Sequence, residues 1–284
     1  QEDWGPVDRG LRDAALAGGF PWNPDLNAPE GEGVSCYPIN SRELKRVTTN
    51  DGYLEPARGR ANLTIQGEAL VDRVLIEEGR AVGVVGRRGG EETTWRAREI
   101  VLCAGAVHSP AILMRSGLGP SLHLQALGIP VAREMPEVGR NFMDHPMLRV
   151  AVALKGAHAT SDPDQRHTNC CVTYSSGLGG GGVRDMILIA FNHRNIAADG
   201  APDAQGGVGI GLYDAFSRGE VTLTSARPED DPRIEENMLA DPRDMLRMRD
   251  GLRRVLALTR RPELSGIAEG FRIATREQHA RTLG

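Results

Sequence analysis

A short apolar run that leads into small residues, within residues 98–119, constrains the fold of this chain more than any other stretch. Residues 100–103 are continuously apolar, which is typical of a strand covered on both faces of a mostly parallel sheet. The residues that follow are small enough to let a backbone approach a ligand closely: Ala104, Gly105 and Ala106. The stretch therefore predicts a buried strand that ends in a tight turn.

A helix signal comes directly after this turn. Ser109 is a favourable N-cap, Pro110 fits the first helical position, and Gly117 fits the end of a helix over residues 111–115. Ligands in open α/β sheets bind at the carboxyl ends of the strands. We therefore expect this strand–turn–helix unit to lie at a binding site.

Residues 105–119 read GAVHSPAILMRSGLG, which resembles, without gaps, the second signature of the glucose–methanol–choline (GMC) family of FAD-dependent oxidoreductases. The alternative interpretation is an ordinary strand–helix turn of another α/β protein. The resemblance implies an α/β (mixed α+β) fold: part of a FAD-binding Rossmann-like domain, plus an antiparallel-sheet substrate domain with flanking helices. It also implies that Ala104, Gly105 and Ala106 contact the cofactor.

Composition excludes several classes of function. A chain of 284 residues with 40% apolar content can form one large or two modest domains. A net charge of −4, no basic block and only 4% aromatic residues argue against nucleic acid as a partner. No apolar run approaches the roughly 20 residues that span a bilayer. The four cysteines form no paired C-x-x-C sets, so we expect no metal site and the buried free thiols of a cytoplasmic protein. Only Lys45 and Lys155 are lysines among the basic residues, which suggests a GC-rich genome, and we expect a bacterial protein.

The N-terminal part, residues 1–56, is predicted to be a helix over residues 6–17 and an irregular connecting segment rich in proline. Several of its short sequences resemble the family's segment that leads to the flavin domain: GFP at 19–21, DLN at 25–27 and GYLEPA at 52–57.

Residues 57–145 are predicted to form part of the FAD-binding domain. Alternating and apolar patterns predict strands over residues 62–65, 69–76, 81–87 and 93–98. By resemblance, Val71 would hold the adenine end of FAD through backbone groups. The alternative for Val71 is a β-branched core residue, and the sequence does not separate the two.

A second segment of this domain, VGRNFMDHP at residues 138–146, resembles the family's segment that passes close to the flavin. The resemblance implies cofactor contacts for Asn141, Asp144 and His145. We do not assign His145 a catalytic role, because the family's general base comes from further along the sequence. A histidine between aspartate and proline is also often a hydrogen-bonded structural residue.

Residues 146–284 are predicted to form a substrate-binding domain. Strand candidates recur between glycine- and proline-rich turns, at residues 147–154, 170–174, 186–191, 207–213 and 221–224. Asp241 and Pro242 begin an amphipathic helix. The resemblance places the family's catalytic histidine beyond Gly284, so no catalytic residue is assigned, and the sequence resembles the middle of a GMC enzyme. Complementary GMC segments are therefore a candidate partner.

The glycine run at residues 177–182 satisfies G-x-G-x-x-G, but a strand pattern follows it instead of a helix. Pyrophosphate binding needs the helix N-terminus, so we interpret the run as a flexible loop.

The function that the resemblance implies is FAD-dependent oxidation of a primary or secondary alcohol by hydride transfer to flavin. Oxygen or another acceptor would then reoxidise the flavin. Two alternatives stay open: a lyase of the hydroxynitrile-lyase type on the same fold, and an inactive truncated fragment.

Overall fold

The computed structural model describes residues 4–29, 31–43, 45–158, 166–192 and 206–273. Its α-helices are α1 (Pro6–Ala17), α2 (Glu55–Ala57), α3 (Gly105–Arg115), α4 (Ser121–Ala126), α5 (Pro242–Thr259) and α6 (Pro262–Ser265). Its strands are β1 (Gly33–Cys36), β2 (Ser41–Arg42), β3 (Lys45–Arg46), β4 (Ala69–Glu77), β5 (Arg80–Arg88), β6 (Glu91–Arg96), β7 (Leu118–Gly119), β8 (Arg133–Glu134), β9 (Met147–Leu154), β10 (Cys170–Tyr174), β11 (Met186–Phe191), β12 (Gly206–Leu212), β13 (Glu220–Thr222), β14 (Arg233–Glu235) and β15 (Ala268–Ile273). A π-helical turn (Asn50–Leu54) and a 3₁₀ turn (Gly156–His158) complete the elements.

The chain divides into two compact units. Unit 1 comprises Gln1–Gly52, His145–Phe216 and Leu239–Gly284, and unit 2 comprises Tyr53–Asp144 and Ser217–Met238. These bounds describe packing within the structure, whereas the predicted bounds of 1–56, 57–145 and 146–284 concern the domains of the enzyme and stay a prediction. No helix among the described residues is long and apolar enough to cross a membrane.

Unit 1 is built on an antiparallel sheet with the strand order β1-β10-β11-β12-β9-β15. Side chains alternate between its faces, so one face carries Val172, Leu188 and Val208 and packs with Leu11 of α1 and Val255 of α5 into the main core. Helix α5 forms where the sequence predicts it: Pro242 starts it and the Asp241 carboxylate accepts a bond of 2.9 Å from the Arg243 N–H.

The opposite face of the same sheet carries a smaller apolar cluster around Cys171, Ile187 and Ile189. Strand β12 contributes only glycine to this face, at positions 207, 209 and 211. A Cβ on Gly209 would lie 2.8 Å from the Phe191 ring, so glycine is required there for the side chains of β9 and β11 to cover the strand.

A fully buried charge cluster joins α5 to the loop before β11. The Arg247 guanidinium lies 3.2 Å from an Asp185 oxygen and 2.5 Å from an Asp244 oxygen, and all three side chains have no exposed surface. Asp185 also accepts bonds of 2.7 Å from the backbone N–H and the hydroxyl of Ser176. The guanidinium and both carboxylates therefore have charged or hydrogen-bonding partners, which buried charges need.

Unit 2 consists of the β4-β5-β6 meander, the paired strands β7-β8 and β13-β14, and the helices α2, α3 and α4. Its core lies between α3 and α4 and contains Ala111, Met114, Leu124, Ile129 and Leu223. Helix α3 also packs on β4, so the meander and the helical core are joined through this helix.

The predicted elements are mostly confirmed, with three corrections in unit 2. Residues 62–65 and 100–103 form no strand, because no strand of the described chain lies beside either of them to complete their hydrogen bonds. Helix α3 starts at Gly105 instead of after Ser109. Cysteine burial also differs from the expectation, since the four thiols are free but Cys36 and Cys103 are exposed.

Candidate functional site

The turn predicted to contact the cofactor is the exposed start of α3. Gly105 has a φ of +80°, which turns the chain into the helix, and no atom of the described residues lies within 4 Å of the position of a Cβ added there. Ala104, Gly105 and Ala106 are all exposed. The first N–H groups of a helix have no intrahelical partner, so this end can receive an anionic or polar part of a ligand.

Ser109 supports this turn from inside the helix. Its Oγ accepts a bond of 3.1 Å from the Ala104 N–H, five residues earlier. Pro110 lies within the helix and removes only the donor that would face the Ala106 carbonyl. The prediction of an N-cap at Ser109 was wrong because this side chain bonds back to the turn instead of starting the helix.

Val71, predicted to hold the adenine end of FAD, lies in β4 and is half-buried. The β4–β5 ladder shifts register between Val71 and Arg73, which leaves Asp72 as a bulge. Arg115 at the end of α3 donates from Nε to the Asp72 carbonyl oxygen at 2.9 Å and to its carboxylate at 3.1 Å. Ser116 accepts a bond of 2.8 Å from the Val74 N–H. The structure thus places Val71 and Gly105 on two elements that are tied directly to each other.

Asn141 lies further along unit 2 with a φ of +59° and an exposed side chain. Its Nδ2 donates to a Glu137 oxygen at 3.4 Å. Asn141 lines a cavity of about 670 Å³ together with Arg140 and Arg218, among others. The neighbouring Phe142 pairs with Gly219 in an antiparallel bridge, which holds this segment in place.

Asp144 is the last residue of its segment of unit 2, and the chain enters unit 1 at His145. Asp144 is exposed. The His145 ring packs against Tyr213 with 4.6 Å between ring centroids. Burial, with a smaller contribution from Tyr37, raises the pKa of Tyr213 to about 12. His145 therefore lies against the ring of a tyrosine whose hydroxyl stays protonated at neutral pH.

The exposed start of α3 leaves room for part of FAD. A side chain at position 105 would occupy this open space, and glycine keeps it free. Among the described residues no group of three potential metal ligands comes together. The glycine run at 177–182 forms a loop before β11, as predicted, and Gly182 donates to Asp214 at 3.2 Å.

Sequence reasoning missed the polar side chains on the open face of the unit 1 sheet. Tyr37, Thr173, Arg184 and Tyr213 come from separate segments and line one cavity. Strand alternation could have placed Thr173 and Ile187 on a common face, but it does not show which face the helices leave open.

Comparison with known proteins agrees with the motif. The family model of the GMC oxidoreductases matches residues 2–147, and a second GMC oxidoreductase model matches residues 215–282. The chain belongs to the GMC oxidoreductase family. It is 34% identical over 287 residues to an oxygen-dependent choline dehydrogenase of Pseudomonas aeruginosa, covering 91% of this chain and 51% of the relative. It is 33% identical over 247 residues to an uncharacterized GMC-type oxidoreductase of Rhodococcus erythropolis, covering 87% and 48%.

Solved structures show the same fold. Pyridoxine 4-oxidase from Mesorbium loti superposes with a TM-score of 0.85 at 27% identity, covering 99% of this chain and 56% of the oxidase. A formate oxidase superposes with a TM-score of 0.83 at 21% identity, covering 99% and 59%. The chain thus spans about half the length of the curated relatives that it matches.

These findings confirm the predicted family, the mixed α/β fold with antiparallel sheets, and FAD as the cofactor of the family. They support an oxidoreductase resembling choline dehydrogenases. The assignment of single residues to the cofactor, and the cytoplasmic location, stay predictions.

Proposed function

We propose that this chain is part of a flavoenzyme that oxidises a primary or secondary alcohol. The observation that carries the proposal is the exposed start of α3, where a left-handed glycine and free helix N–H groups lie within the family signature. The relative named oxygen-dependent choline dehydrogenase and the neighbour named pyridoxine 4-oxidase support a small alcohol as donor and oxygen as one possible class of acceptor.

The residues proposed to hold FAD are Val71, Ala104, Gly105, Ala106, Asn141, Asp144 and His145. The backbone of Ala104, Gly105 and Ala106 would bind a polar part of the cofactor at the helix start. Val71 would contact the adenine end from the β4 bulge that Arg115 holds. The chemistry that bound FAD supplies is two-electron oxidation of the alcohol carbon.

Segments outside this chain are proposed to complete the enzyme. Residues 100–103 have the composition of a buried strand, yet Val101 is 74% exposed. Since the chain spans about half of its relatives, we propose that the remaining part of a longer protein supplies the partner strands and the general base.

The first test is spectroscopic. The complete protein should show a flavin spectrum as purified, and an added primary alcohol should bleach it in the absence of oxygen. A flavin that binds but is never reduced by any alcohol would favour the lyase alternative and contradict the proposal.

The second test locates the cofactor with two matched glycines of unit 2. Gly105→Ala adds a methyl group where the cofactor is proposed to lie, so we expect FAD affinity to fall about tenfold or more. Gly128→Ala is the control, because Gly128 also has a positive φ (+71°) and open space at its Cβ position. Both variants share the backbone strain, so only Gly105→Ala should lose FAD. Equal FAD affinity in the two variants would remove Gly105 from the site.

A further inference from the structure

A cavity of about 430 Å³ lies on the face of the unit 1 sheet that is opposite the helices. We call it the Thr173 pocket. Its apolar wall is formed by Leu26, Pro38 and Val183, and its polar groups belong to Asn27, Tyr37, Thr173, Arg184 and Tyr213. Both its volume and its mixture of apolar wall and few polar groups are typical of small-molecule sites.

The buried hydroxyl of Thr173 is the evidence that this pocket binds a ligand. Only 4% of this residue is exposed, and its Oγ1 has no hydrogen-bond partner among the described residues. The neighbouring strand residues Val172 and Tyr174 belong to the core on the helix side, so alternation turns Thr173 to the pocket side. Buried hydroxyls are nearly always paired in native proteins, so a partner inside the pocket is expected.

The other polar groups of the pocket are mainly donors. Arg184 uses Nη1 to donate to the Ala28 carbonyl at 2.6 Å, and a guanidinium has five N–H donors, so donors remain for a ligand. Tyr213 and Tyr37 both line the pocket, and burial raises the pKa of Tyr213 to about 12, so its hydroxyl is protonated at neutral pH. None of the described residues that line the pocket is acidic.

We propose that the Thr173 pocket binds the carboxylate end of a small organic acid, with the apolar part of that acid against Leu26 and Val183. Arg184 supplies the opposite charge, and Thr173 and a tyrosine supply neutral donors. A cationic alcohol such as choline would meet the positive charge of Arg184 and no counter-charge in the described wall.

Tyr213 of the pocket packs on the ring of His145, which is one of the residues proposed to contact FAD. This makes an alcohol that bears a carboxylate the substrate class for the site. That extension to substrate rests on the proposed function, whereas the binding of a carboxylate does not.

The test is calorimetric titration of the complete enzyme with benzoate, with its neutral isostere benzamide and with choline. We expect one benzoate to bind per chain, and we expect benzamide and choline to bind with an affinity at least about tenfold lower. Benzamide or choline binding as tightly as benzoate, or no saturable binding of benzoate at about 10 mM, would overturn the proposal.

Two variants locate the site. Arg184→Met should weaken benzoate binding about tenfold or more, because it removes the charge. Arg249→Met, an exposed arginine of α5 in the same unit, should leave the affinity unchanged. Thr173→Val should weaken benzoate about threefold without lowering the stability of the fold, since a hydroxyl without a protein partner is replaced by a methyl group. Unchanged benzoate affinity in Thr173→Val and Arg184→Met would refute the pocket even if benzoate binds elsewhere.

The two proposals fail separately. Benzoate binding that depends on Arg184, in an enzyme whose flavin no alcohol reduces, would retain the carboxylate site and reject the alcohol oxidation. Flavin reduction by an alcohol, without benzoate binding, would retain the alcohol oxidation and reject the carboxylate site.

Discussion

Residues 186–190 of unit 1 and residues 100–103 of unit 2 are both short apolar runs, and both predict buried strands. In unit 1 the run becomes β11, which lies between β10 and β12, and all five residues are buried. In unit 2 the run pairs with no strand of the described chain, and Val101 is 74% exposed. The two runs differ in their surroundings far more than in their composition.

The difference shows that an apolar run specifies a strand only when neighbours supply both its hydrogen bonds and its cover. A strand cannot satisfy its own N–H and C=O groups, whereas a helix can. Helix α3 forms in unit 2 although the run before it does not become a strand. Three predictions test whether substitutions at covered positions cost more stability than those at uncovered positions.

Tryptophan fluorescence can follow each unit separately, because Trp4 and Trp22 lie in unit 1 and Trp95 lies in unit 2.

The largest effect is expected at the buried charge cluster of unit 1. Arg247→Met would leave the Asp185 and Asp244 carboxylates buried without a counter-charge, so the free energy of unfolding should fall by about 3–5 kcal/mol. Urea unfolding of a Trp95→Phe background, followed by fluorescence, would report on unit 1. Arg253→Met, an exposed change on the same helix, is the control, and a similar small loss in both variants would contradict the prediction.

The second prediction compares the stability lost on substitution in each of the two apolar runs. Leu188 is fully buried in β11, so Leu188→Ala should lower the free energy of unfolding of unit 1 by about 2–5 kcal/mol. Val101→Ala in the 284-residue chain should change the stability of unit 2 by less than about 0.5 kcal/mol. The Trp95 transition measures unit 2 when Trp4 and Trp22 are replaced by phenylalanine. A loss at Val101 as large as that at Leu188 would show that residues 100–103 are covered in solution.

The smallest effect concerns an exposed ion pair of the unit 2 meander. A hydrogen bond of 2.7 Å from Arg96 lowers the pKa of Glu77 below its ordinary value. The lowered pKa means that the contribution of the pair to stability is present above pH 4.5 and is lost as the pH falls through the folded-state pKa. NMR titration should show the Glu77 pKa returning toward its ordinary value in Arg96→Met. Because the pair is exposed, the urea midpoint of unit 2 should fall only marginally at neutral pH in this variant, and a clear shift would show that the pair acts as a buried one.

Much of the fold was predictable because its signals are local. Pro6 and the glycines after residue 17 mark the ends of α1, and Asp241 and Pro242 mark the start of α5. Alternating and continuous apolar patterns predicted β4, β5, β9, β10 and β11 to within about two residues. The helix start at Gly105 was missed, because Ser109 and Pro110 together resemble an N-terminal signal whether or not Ser109 bonds back to Ala104.

For the candidate site, the sequence by itself determined the family, through residues 105–119, and with it the expectation of FAD and the glycine turn at the start of α3. Only the tertiary structure decided that Arg115 holds the bulge beside Val71 and that residues 100–103 pair with no strand among the described residues. It alone also showed that four polar side chains line one pocket, namely Tyr37, Thr173, Arg184 and Tyr213. The physical reason is that caps, turns and alternation act over a few residues, whereas strand pairing and the burial of polar groups depend on partners from distant segments.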